Sequence, residues 1–181
     1  IINGQIHIKS IKETVDDLLI DLLNYEKSIK QYIGHGDLCF NNILVDDISG
    51  SVKLIDPKSF YSKNHNIWGL MDSNYDLAKL NHSFKYLYDS VVNDMFYINY
   101  EDDKIDLKIY APKDYEIISN LFENKILKNN IEPDLLRKLT SNLFLSMLPI
   151  HLDDVDRVAA FAIIGSIIFN KYDFKKLIIN I

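Results

Sequence analysis

The chain has 181 residues, of which 48% are hydrophobic and 25% charged, with only 6 Gly and 4 Pro. That length fits one domain with a substantial core, and the composition argues against extended disorder. A net charge of −6 argues against broad electrostatic binding to nucleic acid, and the single cysteine, Cys39, excludes an internal disulfide framework and suits a reducing cytoplasm.

Residues 1–9 hold no long apolar run, so no signal peptide is read there. The most apolar stretch, VAAFAIIGSIIF at 158–169, is too short to span a bilayer and is read as a buried helix. Neither a nucleic acid nor a membrane is therefore expected as a partner. The first residue is Ile rather than Met, which fits a processed or excised piece of a longer protein.

In chain order, Ser10-Ile-Lys-Glu13 is a capping-box pattern that places a helix start at residue 11. Ile11, Val15, Leu18, Leu19 and Leu22 follow at helical spacing and predict one buried face. The segments NILVDD (42–47) and SVKLID (51–56), joined by Ile48-Ser49-Gly50, read as a hairpin. Residues 58–74 are polar and are read as irregular. From Tyr75 a second helical period puts Leu77, Leu80, Phe84, Leu87 and Val91 on one face. MFYINY and KIDLKIY alternate around Glu101-Asp102-Asp103 and predict a second hairpin. Three more helices are predicted at 113–128, at 133–148 with Pro133 in its first turn, and at 153–171. The expectation is one α+β domain over 1–181, mainly helical, with two small hairpins.

The densest chemistry lies in His35-Gly36-Asp37-Leu38-Cys39-Phe40-Asn41-Asn42. Asp37 lies in a loop, Asn42 enters the first hairpin strand, and Asp56 ends the second, which returns antiparallel beside it. The hairpin therefore gathers three oxygen-bearing side chains. Phosphoryl transfer from a nucleotide needs such a set: a carboxylate to orient the attacking hydroxyl, and hard oxygen ligands for Mg²⁺. The plain alternative is that Asx residues bound turns for local hydrogen-bonding reasons.

The eight-residue stretch resembles the catalytic loop of the aminoglycoside phosphotransferase and choline kinase group, within the protein-kinase-like fold. Leu54-Ile55-Asp56-Pro57 resembles that group's metal-binding segment, and Asp72-Ser-Asn-Tyr75-Asp76-Leu77-Ala78 resembles the helix start that follows it. The order and gaps of the three motifs are also similar. The resemblance implies the C-terminal lobe of a kinase-like fold over residues 1 to about 170, acting with ATP and Mg²⁺ on the hydroxyl of a small molecule. It implies Asp37 as the catalytic base or hydroxyl-orienting carboxylate, Asn42 and Asp56 as Mg²⁺ and cofactor ligands, and His35 and Asp76 as structural supports of the loop.

Many relatives have His-Pro where this chain has Cys39-Phe40. In the wider superfamily the residue two after the catalytic Asp helps neutralise the transferring phosphate. Cys39, mostly uncharged at neutral pH, does not replace it and is read as a packing residue; Lys58 is the expected substitute cation at the cofactor. The group's N-terminal lobe, with its sheet, phosphate-covering loop and lysine, has no counterpart before residue 35. It is expected from the full-length chain or from a partner.

The segments LIDPK and YDLAKL are similar to kinase-like domains of bacterial capsule and surface-polysaccharide proteins. They direct the acceptor expectation to a sugar, aminoalcohol or surface-polysaccharide precursor, handled in the cytoplasm. The rival readings are a non-catalytic kinase-like binding module and a structural domain of a larger surface-polysaccharide protein. For the acidic run from His151 to Arg157, the first turn of a helix is weighed against an acceptor site. For the aromatics in 84–100 and 110–122, core packing is weighed against an acceptor pocket.

Overall fold

The capping box at Ser10 forms as its residues require. Ser10 Oγ accepts from the Glu13 amide at 3.2 Å, and the Glu13 carboxylate accepts from the Ser10 amide at 3.1 Å. In the computed structural model, which describes residues 1–24, 31–58, 61–62, 67–68, 70–128 and 130–181, this cap opens helix α1 (Ile11–Leu23). The helix lies against the helices at 133–146 and 155–169, burying Thr14 and Leu18. Leu19, expected on the buried face, is instead half-exposed, because the inward stripe runs through Thr14 and Leu18 and is narrower than the apolar pattern.

Strand β1 (Gln31–Ile33) leads into the loop at 34–39, a single 3-10 turn (Phe40–Asn42), and the first hairpin, β2 (Ile43–Val45) and β3 (Val52–Leu54). Asp46 Oδ1 closes the hairpin turn by accepting from the amides of Ile48 and Ser49, at 3.0 and 2.7 Å. The stretch expected to be irregular, 58–74, carries more order than predicted. Strands β4 (Tyr61–Ser62) and β5 (Ile67–Trp68) pair with each other, and β6 (Leu70–Asp72) pairs antiparallel with β1. Residues 59–60, 63–66 and 69 of that stretch lie outside the described residues. The β1–β6 pairing joins residues about forty positions apart, so no local pattern announces it.

Asp72 caps helix α2 (Ser73–Phe84) by accepting from the Asn74 amide at 3.0 Å. The helical face predicted from Tyr75 to Val91 is not continuous. Leu87 adopts φ 54, in the left-handed region, and separates α2 from the short α3 (Tyr88–Val92). Leu87 and Val91 are still buried, so the apolar spacing reported burial correctly and helix continuity incorrectly.

The second hairpin forms as β7 (Phe96–Glu101) and β8 (Lys104–Ala111), with Asp102 at φ 46 in its turn. A third strand, unforeseen, joins it: β9 (Ile178–Asn180) runs parallel to β8. Helix α4 (Tyr115–Phe122) passes into a π-turn (Glu123–Leu127). Helix α5 (Pro133–Ser146) has Pro133 in its first turn and is capped by Glu132, and α6 (Val155–Phe169) is capped by Asp154.

Helix α6 is apolar on nearly every side and forms the centre of the main core. Phe161, Ile164 and Ile167 pack with Phe144 of α5 and with Leu107 and Ile109 of β8. A Cβ at Gly165 would lie 2.8 Å from Leu145 Cγ, so glycine permits the close α5–α6 approach, which a bond from Ser141 Oγ to the Gly165 carbonyl (2.8 Å) reinforces. A second cluster, with Ala78, Phe122, Leu136 and Leu143, joins α2 to α4 and α5. The result is an α+β architecture, about 49% helix and 18% strand, with small sheets. Among the described residues no helix is long and apolar enough to cross a membrane.

Candidate active site

Helix α2 and the loop at 34–39 build the site together. Asp76, in the helix's first turn, accepts from the His35 amide through Oδ2 (2.7 Å) and from the Gly36 amide through Oδ1 (2.8 Å). Glycine is required at both flanking positions. A Cβ on Gly34 would meet the Met71 side chain and lie 2.9 Å from Asp76 Oδ2. Gly36 has φ +79, and a Cβ there would lie 2.7 Å from the Lys58 carbonyl oxygen.

The other side of the loop is tied to the exit of β3. His35 Nε2 lies 2.9 Å from the Ile55 carbonyl oxygen, and its own carbonyl accepts from the Lys58 amide at 2.8 Å. The Asp37 amide donates to His35 Nδ1 at 3.3 Å, which assigns the ring the neutral tautomer protonated on Nε2. His35 is buried, and its contacts are those of a brace.

Asn42 Nδ2 donates to the Asp37 carbonyl (2.8 Å) and to Asp37 Oδ2 (3.2 Å), while the Asn42 carbonyl accepts from the Ile55 amide at 3.0 Å. Asp56 follows Ile55 directly, in the left-handed region at φ 52. Its carboxylate is 64% exposed and pairs with Lys58 Nζ at 3.0 Å. The structure thus joins His35, Asp37, Asn42 and Asp76 by direct contacts. Asp56 is brought near through its neighbours' backbone, and Lys58 sits on Asp56.

One participant was missed from the sequence. Lys79 Nζ lies 3.0 Å from Asp37 Oδ1, with its side chain only 5% exposed against 23% for Asp37. The available signal was helical spacing: Lys79 follows Asp76 by three residues and so shares its face. Its ammonium also lies 5.9 Å from the Tyr88 ring centroid. One turn on, His82 is fully buried between the rings of Tyr88 (4.0 Å) and Phe144 (4.1 Å), and burial, with the Lys79 charge adding, holds its pKa well below the ordinary value.

Cys39 is buried, and burial, aided by the Asp37 and Asp89 charges, pushes its thiol upward, opposite to what a nucleophile needs. Phe40 holds the loop's far end against Phe84 in an edge-on contact at 4.6 Å. The aromatics weighed as an acceptor pocket include core members: Phe84 stacks on Phe122 at 4.6 Å, and Tyr115 is buried. In the run from His151, Asp154 caps α6, Arg157 pairs with Asp94 and Asp154, and Asp156 accepts from the Tyr100 hydroxyl.

Among the described residues no three His, Cys, Asp or Glu side chains cluster closely enough to hold a metal ion. A cation here would draw instead on the Asp56 carboxylate and the Asn42 amide oxygen, hard donors of the kind Mg²⁺ takes, with Lys58 yielding its place on Asp56. No protein-family model, curated protein or solved structure matches the chain.

Proposed function

We propose that the chain is the C-terminal lobe of a small-molecule kinase, one domain over 1–181, that transfers the γ-phosphoryl group of ATP to a hydroxyl. The observation that carries this reading is the loop itself: Asp37 is held by Asn42 on one side, and the backbone beside it is held by Asp76 on the other. An exposed turn requires no such construction.

In the reaction, an acceptor oxygen forms a bond to the γ-phosphorus as the bond to the ADP oxygen breaks. The electron pair leaves on ADP, and Asp37 orients the acceptor hydroxyl and takes its proton. Asn42 and Asp56 would hold Mg²⁺, which supplies charge neutralisation at the phosphates. His35 and Asp76 keep the loop in shape. Most of the rate enhancement would come from positioning and electrostatics.

The elements that cover ATP would come from further polypeptide, in the same chain or a partner. The hairpin beside Asn42 and Asp56 exposes Leu44, Val45, Val52 and Leu54, a surface suited to such a cover. The acceptor class is a sugar, aminoalcohol or surface-polysaccharide precursor, in a cytoplasmic setting that supplies Mg-ATP.

The test is phosphoryl transfer by the polypeptide that carries this chain, with Mg-ATP and a panel of those acceptors. Transfer to at least one, abolished in Asp37→Asn, is expected. No transfer to any acceptor, or an Asp37→Asn enzyme as fast as the wild type, overturns the proposal.

A further inference from the structure

Lys58, the expected cation at the cofactor, lies on Asp56, and a second lysine reaches Asp37 from helix α2. Lys79 is nearly inaccessible, and its ammonium lies 5.9 Å from the Tyr88 ring centroid. Burying an ammonium in such surroundings is unfavourable, and a buried ion pair is often no more stable than apolar residues of similar volume. Stability therefore does not account for lysine here.

The geometry at Asp37 does. Lys79 Nζ takes Oδ1 at 3.0 Å, and Asn42 Nδ2 takes Oδ2 at 3.2 Å. With both oxygens held from different elements, the carboxylate plane is fixed, and only its remaining lone pairs can meet a hydroxyl. Asp76 and Lys79, on one face of α2, thus hold the loop at two levels, backbone and side chain.

We propose that Lys79 is a positioning residue for phosphoryl transfer, setting the rotation of the Asp37 carboxylate and so the edge it presents to the acceptor. The inference rests on the role given to Asp37 above. In this role Lys79 exchanges no proton with the substrate. The cation absent from the loop position of Cys39 is in this sense supplied from α2.

The experiment compares wild type, Lys79→Met, Lys79→Arg and Asp37→Asn in the transfer assay, with kcat and KM for ATP measured separately. Lys79→Met is expected to lower kcat by about 100-fold, the scale of a misplaced reacting group. KM for ATP should stay within about twofold, since uniform binding is untouched. Lys79→Arg should recover part of kcat, because a cation remains. A Lys79→Met enzyme with wild-type kcat beside an inactive Asp37→Asn would overturn the role of Lys79 and leave the kinase reading standing. Inactivity of the wild type with every acceptor would remove both. Independently of activity, proton–nitrogen spectra of lysine ammonium groups should show a protected resonance that is lost in Lys79→Met and shifted in Asp37→Asn. An unshifted resonance in Asp37→Asn would show that the ion pair does not exist.

Discussion

Replacing Asp76 with Asn keeps the shape of the side chain and removes its charge. In the wild type the two carboxylate oxygens accept from the His35 and Gly36 amides at 2.7 and 2.8 Å. The variant amide offers one acceptor oxygen and points an N–H pair at the other donor. One bond is lost, one backbone N–H is left unsatisfied in a partly buried place, and the surviving bond loses its charge assistance. Hydrogen bonds to a charged group contribute about 1.5–3 kcal/mol each, so the loop should lose about 2–3 kcal/mol. At 1.36 kcal/mol per tenfold, that is a rise of about 30- to 150-fold in local opening. Amide hydrogen exchange at His35 and Gly36 reads it directly, with no substrate or metal present. Wild-type protection at both amides in Asp76→Asn would show that the carboxylate does not hold the loop.

Gly36→Ala should open the same loop by at least about 2 kcal/mol, combining a left-handed backbone cost with a contact at the Lys58 carbonyl that has no room to relax; exchange at the Lys58 amide, which donates to His35, is the measurement, and unchanged protection would contradict the packing described. His82 gives a pH dependence. Because burial holds its folded pKa below the unfolded value of about 6.5, the unfolded chain binds the extra proton; stability is full above that pH and falls as pH drops towards the folded value, by up to about 1.4 kcal/mol per unit. Urea unfolding of wild type and His82→Phe between pH 7 and 5 should show the flatter dependence in the variant, and equal slopes would mean that His82 is not held neutral.

What was legible in the sequence is what is local. The Ser10 box, both hairpin turns and the Pro133 start are decided by neighbours within a few residues, and all appear in the structure. The order within 58–74 was not legible, because β6 is specified by its pairing with β1, not by its own alternation. Strand β9 was hidden for the same reason, its partner β8 lying some seventy residues earlier. The break at Leu87 escaped because apolar spacing reports which side faces inward and says nothing of φ. At the site, Asp76 accepts from the His35 and Gly36 amides about forty residues away, a contact that no local pattern specifies. The contact of Lys79 with Asp37 was not read from the sequence, because only helical spacing from Asp76 hints at it.

The pairing of β1 with β6 has a thermodynamic consequence. It pins, at three residue pairs, the base of an excursion that holds the loop at 34–39 and the β2–β3 hairpin, with Asp76 latching the loop. Segments built in this way open as cooperative units of their own, below the free energy of global unfolding. The excursion contains Asp37, Asn42 and Asp56 but none of the central packing around Phe144, Phe161 and Leu107. The candidate site is therefore expected to open at a lower free energy than the scaffold, so that a chain that still appears folded can already have released it. The same closure is insensitive to length, since doubling a flexible loop adds only about 0.6 kcal/mol of entropic cost. Residues inserted at the solvent-facing tip beside Gly50 would lengthen the excursion while its base keeps the same grip.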